Sequence, residues 1–275
     1  MSAEDSLKAG DLERAKTELQ ELVRKEPANS KHRVFLFQLL AVLGEWERAL
    51  NQLNVLGDMD AGMLPMVHLY REALRCEVLR AEIFAGKTSP VILGQPESWM
   101  AALMEALRLV AEGRVEQAQS LRDQSFDEAP AVPGTIDGQP FEWLADGDAR
   151  LGPMLEAIIN GRYYWVPFQR IRELQLEKPG DLRDFVWTPA RFRWANGGDA
   201  VGLIPTRYPG SERNEASSVR LARRTEWFDR GGDCVCGVGQ RMLATDRGEH
   251  PILDVRHVRL DIPPEVASRA EPPTP

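Results

Sequence analysis

Asp146-Gly147-Asp148, followed by Arg150 and Glu156, is the constellation in this 275-residue chain whose residue types and spacing could do chemistry. Two close carboxylates can share a divalent cation through oxygen ligands, so Asp146, Asp148 and Glu156 could serve a metal-dependent enzyme. The competing reading is an acid-capped turn in which Arg150 pairs with one of the acids, since carboxylates favour the free N–H groups at an element's start. No third hard ligand stands at a metal-site spacing. Cys234-Val235-Cys236 puts two thiols on one face of a strand, where they could bind a soft metal, respond to redox or simply pack. His32, His68, His250 and His257 are scattered, and none has a second His or Cys within helical reach. There is no nucleophile elbow, Walker lysine loop or glycine fingerprint after a strand, and Gly231-Gly-Asp and Gly237-Val-Gly239 lack the phosphate-cradling context. The expected catalytic, metal and cofactor sets are therefore empty.

Binding chemistry is better represented. In Gly161-Arg-Tyr-Tyr-Trp-Val-Pro-Phe168, alternation places Tyr163, Trp165 and Pro167 on one strand face and Tyr164, Val166 and Phe168 on the other. One face should be core and the other an aromatic patch for a partner, which makes Tyr163 and Trp165 expected partner-binding residues. Arg220, Arg223 and Arg224 beside Trp227 could grip an acidic partner or RNA, or form a solvated edge. With 34 Lys and Arg against 42 Asp and Glu, the net charge of -8 excludes a general pull toward phosphate backbones, so nucleic acid is not expected.

The elements that must position these residues fall into two halves. Gly10-Asp-Leu-Glu-Arg-Ala15 recurs as Gly44-Glu-Trp-Glu-Arg-Ala49 and Gly113-Arg-Val-Glu-Gln-Ala118, so the glycines stand 34 and 69 residues apart. The first interval is the tetratricopeptide period of ~34 residues and the second is two periods plus one, placing a degenerate unit at Gly86. Leu12, Ala15, Leu19 and Leu22 show helical spacing, as do Leu36, Leu40 and Leu43, and Met66 to Ala85 reads as one long helix. Residues 1–132 are thus expected as a tetratricopeptide-like helical-hairpin array whose groove suits a peptide or helix, with Val34, Gln38, Arg80 and Leu107 facing it.

Around Asp127-Glu-Ala-Pro-Ala-Val-Pro-Gly134 the helical period ends. Residues 133–262 are expected as a mixed, mainly antiparallel β domain, giving an α+β chain. Gly152 to Asn160 reads as a short helix opened by Pro153 and stopped by Gly161; strands are expected at 163–168, 185–187, 191–194, 201–204, 235–244 and 252–260. Residues 263–275, with five prolines, are expected to be a flexible tail. The mixed-charge start, the odd cysteine count and the absence of any run of ~18 apolar residues point to a cytoplasmic protein without membrane insertion.

Several separate motifs in order carry a family resemblance: Asp146 to Glu156, Asn160 to Phe168, Asp181-Leu-Arg-Asp-Phe-Val-Trp187 and Ile204-Pro-Thr-Arg-Tyr-Pro-Gly210. With the Ala129–Gly138 junction and Thr225-Glu-Trp227, they resemble the ImpE family, also called TagJ or SciE, over nearly the whole chain. The resemblance implies a non-enzymatic accessory component of bacterial type VI secretion, whose sheath of TssB and TssC is recycled by the ClpV unfoldase. It implies binding to a helix of TssB and, through it, an indirect link to ClpV. It hands no catalytic role to Asp146, Asp148 or Glu156. The chain departs from the family pattern at Gly231–Gly237 and in the Pro-rich tail.

Overall fold

The computed structural model describes residues 2–262, so the expected tail lies outside the described residues. Helices fill the first half: α1 (Ala3–Lys8), α2 (Leu12–Lys25), α3 (Ser30–Val42), α4 (Trp46–Met59), α5 (Leu64–Phe84), α6 (Ser98–Ala111) and α7 (Val115–Glu128). The repeated glycines act alike. Gly10, Gly44, Gly86 and Gly113 have φ of 82°, 70°, 70° and 78°, the left-handed region that a residue with a Cβ enters at a cost. At each, the glycine N–H and the next N–H reach back into the last helical turn, as Gly44 to the Ala41 carbonyl at 3.1 Å and Glu45 to the Leu40 carbonyl at 2.9 Å. This paired closure ends the first helix of every unit and, except at Gly86, turns the chain into the second. The degenerate unit at Gly86 keeps its first helix, α5, but its second is missing: the chain runs instead into a two-residue strand, β1 (Val91–Ile92).

The second half supplies β2 (Gly134–Ile136), β3 (Gln139–Phe141), β4 (Leu144–Asp146), β5 (Met154–Ile159), β6 (Arg162–Pro167), β7 (Ile171–Leu176), β8 (Trp187–Trp194) and β9 (Asp199–Pro205). A four-residue helix, α8 (Ser217–Arg220), precedes β10 (Thr225–Asp229), β11 (Val235–Gly239), β12 (Met242–Thr245), β13 (Gly248–Pro251) and β14 (His257–Leu260). Nine strands make one sheet in the order β1-β6-β5-β9-β8-β7-β14-β2-β3, while β10-β11 form a ribbon and β13-β12-β4 a small third sheet. Among the described residues only β1 joins its neighbour in parallel; the other ladders of this sheet are antiparallel.

Four local expectations are corrected. Residues 152–160 are not a helix but the central strand β5, all six of whose residues are buried. A short apolar run covered on both faces has no period to distinguish it from a helix, and its Pro-Gly punctuation fits both. The deciding signal was the two-residue turn Asn160-Gly161, with φ of 50° and 73°, which closes a tight hairpin onto β6. The single strand expected over 235–244 breaks at Gln240 into β11 and β12, which belong to different sheets. Residues 182–185 form a 3₁₀ turn before β8, and 252–260 is strand only from His257.

The halves share a core. On the sheet face toward the helices, Met154, Ile158, Tyr163, Trp165, Trp187 and Leu203 pack in one cluster with Phe37, Leu53, Tyr70, Ala73 and Leu103. The alternating residues Leu155, Ala157, Ile159, Val166, Phe192 and Ile204 face a second cluster with Ile136, Phe141, Leu243 and Val258. The change at residue 132 is therefore a change of secondary structure rather than a gap between two cores.

Candidate partner-binding cleft and the charge network beneath it

Glu156 lies in the middle of β5 and points, by strand alternation, into the helix-facing cluster. It is fully buried, so its charge must be matched where it stands. Arg80 of α5 donates its Nε to Glu156 Oε1 at 2.5 Å and its Nη2 to Oε2 at 2.8 Å, a forked pair joining helix to sheet. Arg241, between β11 and β12, donates to Glu156 Oε2 and to Asp146 Oδ2. Tyr163 donates its hydroxyl to Glu156 Oε1, and Trp165 Nε1 donates to Tyr163 at 2.9 Å. Burial alone would raise the Glu156 carboxyl, but Arg80 and Arg241 outweigh it and hold it at about 2.

The network extends outward. Burial pushes Asp146 up to about 6 against the pull of Arg241, and the Tyr208 hydroxyl donates to its Oδ1 at 3.0 Å. Asp148 accepts from Arg150 Nε at 2.8 Å and from the Gly237 N–H at 2.9 Å. Glu77 accepts from Trp187 Nε1 at 3.0 Å, and burial raises its carboxyl despite Arg80. Arg207 crosses to the helices: its Nη1 donates to the Val42 carbonyl at 2.8 Å, satisfying the end of α3, where a cation also meets the helix dipole. Burial lowers Arg207 to about 10, which leaves it charged at neutral pH.

Above this network a cleft of about 420 Å³ opens between helices and ribbon. Trp46, Glu77, Arg80, Ala81 and Phe84 form one wall; Phe228, Arg230 and Val238 of the ribbon form the other, with Arg150, Glu212 and Arg213 between them. Arg150 lies 4.9 Å over the Phe84 ring and Arg230 5.3 Å over Phe228, so the walls offer apolar rings backed by guanidinium planes. Such a surface can seat an apolar side chain and answer acidic neighbours.

The residues singled out from sequence are distributed unevenly. Arg80 forms part of the helical wall of the cleft. Leu107 lines a separate hollow of about 250 Å³ with Ile83 and Gly86. Val34 is half-buried against the helical core, and Gln38 is buried within α3. The exposed aromatic face expected on β6 does not exist: Tyr163 and Trp165 are buried toward α5, Trp165 lying 5.9 Å from Phe84, and Val166 and Phe168 are buried on the other side. A strand in the interior of a two-layer packing has no free face. Asp146, Asp148 and Glu156, the residues of the metal reading, are each matched by arginine, and a divalent ion would have to displace a guanidinium from a buried site. No group of three His, Cys, Asp or Glu among the described residues could hold a metal ion. Cys234 and Cys236 are buried with sulfurs 3.7 Å apart. Sequence reasoning missed Phe228, Arg230 and Arg241 and took Trp46 only as a repeat position; no local spacing marks their meeting, because the tertiary fold alone brings them together.

Fold and cleft define a helical-repeat scaffold welded to an antiparallel sheet. A curated relative from Pseudomonas aeruginosa, the type VI secretion system accessory component TagJ, is 54% identical over 94% of this chain and 90% of its own. The family model described as ImpE protein matches residues 138–259. The chain belongs to the ImpE family. A crystal structure of a Vibrio parahaemolyticus protein shares the fold, with a TM-score of 0.86 at 24% identity over 94% of this chain and 97% of the other. Among the described residues no helix is long and apolar enough to cross a membrane.

Proposed function

We propose that this protein is a non-enzymatic, cytoplasmic accessory factor of type VI secretion that holds a helix of the sheath subunit TssB and thereby tunes sheath assembly or its disassembly by ClpV. The accessory role is supported by the 54% identity to TagJ over nearly the full length of both chains. The carrying observation for binding is the cleft, whose mixed aromatic and charged walls suit an amphipathic helix presenting an apolar ridge flanked by charges. The interior carboxylates support the non-enzymatic reading, since their arginine partners leave none of Asp146, Asp148 and Glu156 free to act as a base.

The test is isothermal titration of the full chain with the N-terminal helical segment of the cognate TssB, against a scrambled peptide of equal charge. The full chain is required because the helices and sheet share a core. Saturable binding to the native segment, lost in a Phe228→Ala, Arg230→Glu double variant, supports the cleft. Binding undiminished in that variant removes the cleft, and absence of binding by the wild type removes the helix-holding mechanism.

A further inference from the structure

A second groove, of about 430 Å³, lies where α7 meets the third sheet. It shares with the cleft the loop from Asp146 to Pro153: Arg150 enters the cleft, whereas Ala149 and Gly152 line the groove. Phe126 of α7 and Trp143 face it, and both are large apolar side chains left more than a third exposed, at 38% and 40%. The Phe126 ring packs against Gly152, where a Cβ would come within 2.4 Å of it. The floor is shallow: Ala145 stands opposite Ala244 in the β4–β12 ladder, so their side chains share one face.

Acidic residues adjoin the lining of this groove, Glu249 by strand pairing and Glu142 and Asp127 as chain neighbours of Trp143 and Phe126. Ala244 is itself paired with Glu249 of β13, which places Glu249 on that same face. Glu142 precedes Trp143, and its N–H is held by Asp246 at 2.8 Å. Asp127 follows Phe126 and is exposed. Asp246 is answered by Arg247 at 3.0 Å, but Asp127, Glu142 and Glu249 make no ion pair among the described residues.

We propose that this groove docks a basic amphipathic helix of a partner protein. Its apolar ridge lies between Phe126 and Trp143, the small residues of the floor let the helix approach closely, and its flanking Lys or Arg side chains meet Asp127, Glu142 and Glu249. Charge complementarity selects this occupant: the acids adjoining the groove attract a basic helix and repel an acidic one. The protein then carries two docking surfaces on either side of one loop, as an adaptor that links two partners requires. The inference does not rest on the identity of the segment held in the cleft.

The probe is a designed Leu/Lys amphipathic helix titrated into the full chain, with the equivalent Leu/Glu helix as control. The expected result is saturable one-to-one binding of the Lys helix only, weakened at least tenfold by Trp143→Ala and again by Asp127→Lys with Glu249→Lys, and weakened by added salt. Because a chain of net charge -8 attracts any cation, an equal charge reversal far away, Glu4→Lys with Glu21→Lys, is the reference and should leave binding within twofold. Equal loss in the reference variant, or none in Trp143→Ala, overturns the proposal. So does concentration-dependent self-association abolished by Trp143→Ala, which would assign the groove to a second copy of the chain. The Phe228→Ala, Arg230→Glu cleft variant should keep Lys-helix binding, so failure of the cleft and failure of the groove are read separately.

Discussion

Replacing Glu156 by Gln keeps the shape of the side chain and removes only its charge, leaving Arg80 and Arg241 buried with Glu77 and Asp146 as their remaining acids. The structure sets the magnitude. The carboxyl is held from its usual 4.5 down to about 2, and at about 1.36 kcal/mol per tenfold in proton affinity the ionised form is favoured by about 3 kcal/mol. That agrees with the roughly 3–5 kcal/mol lost when one partner of a buried ion pair is removed. Guanidinium denaturation followed by tryptophan fluorescence should show a stability loss of about 3 kcal/mol at pH 7, and thermal unfolding a midpoint lower by roughly 10 °C. The pH dependence follows from the sign: a carboxyl whose folded pKa is depressed contributes fully above 4.5 and loses that contribution as pH falls toward 2. The gap between wild type and Glu156→Gln should therefore narrow across that interval. A loss under about 1 kcal/mol at pH 7, or a gap that does not change between pH 5 and pH 2.5, would refute the claim that this charge ties α5 to the sheet.

Asp146 runs the opposite way: burial raises it to about 6, so its favourable contribution is present below 3.8 and is lost as pH rises through 6. Chemical denaturation of Asp146→Asn at several pH values should lack that part of the wild-type profile between pH 4 and 6. Arg207→Met should cost about 2–4 kcal/mol in equilibrium unfolding, because the carbonyl of Val42 at the end of α3 loses a buried charged donor. At Gly113 a Cβ meets nothing within 4 Å, so Gly113→Ala should cost only the left-handed backbone penalty of about 1–2 kcal/mol. Gly44→Ala should cost more, since its Cβ would stand 2.4 Å from the Glu212 side chain; equal melting temperatures for the two variants would contradict that packing.

The repeat was legible because it is local. A glycine at one place in every hairpin, with apolar residues at helical spacing on either side, states its conformation within about one turn of chain, and all four glycines adopt it. The same locality explains two errors. Met154 to Ile159 is apolar but for Glu156, and only its burial on both faces makes it a central strand. Tyr163 and Trp165 alternate as expected, yet alternation states which side chains share a face and not whether that face is covered. The degenerate unit was visible at Gly86, but that its second helix would give way to an edge strand depended on β6 being there to pair with it.

By itself, then, the sequence determined the hairpin array, the change of character near residue 132 and the family motifs, all of which are written in neighbouring residues. What only the tertiary structure decided is which charges meet. Arg80, Glu156 and Arg241 are 76 and 85 residues apart in sequence, and no spacing rule links them. Their pairing follows from the sheet and helices closing on one core, where a buried carboxylate is tolerated only opposite a cation. That closure turned three acids that read as a possible metal site into buried partners of Arg80, Arg150 and Arg241.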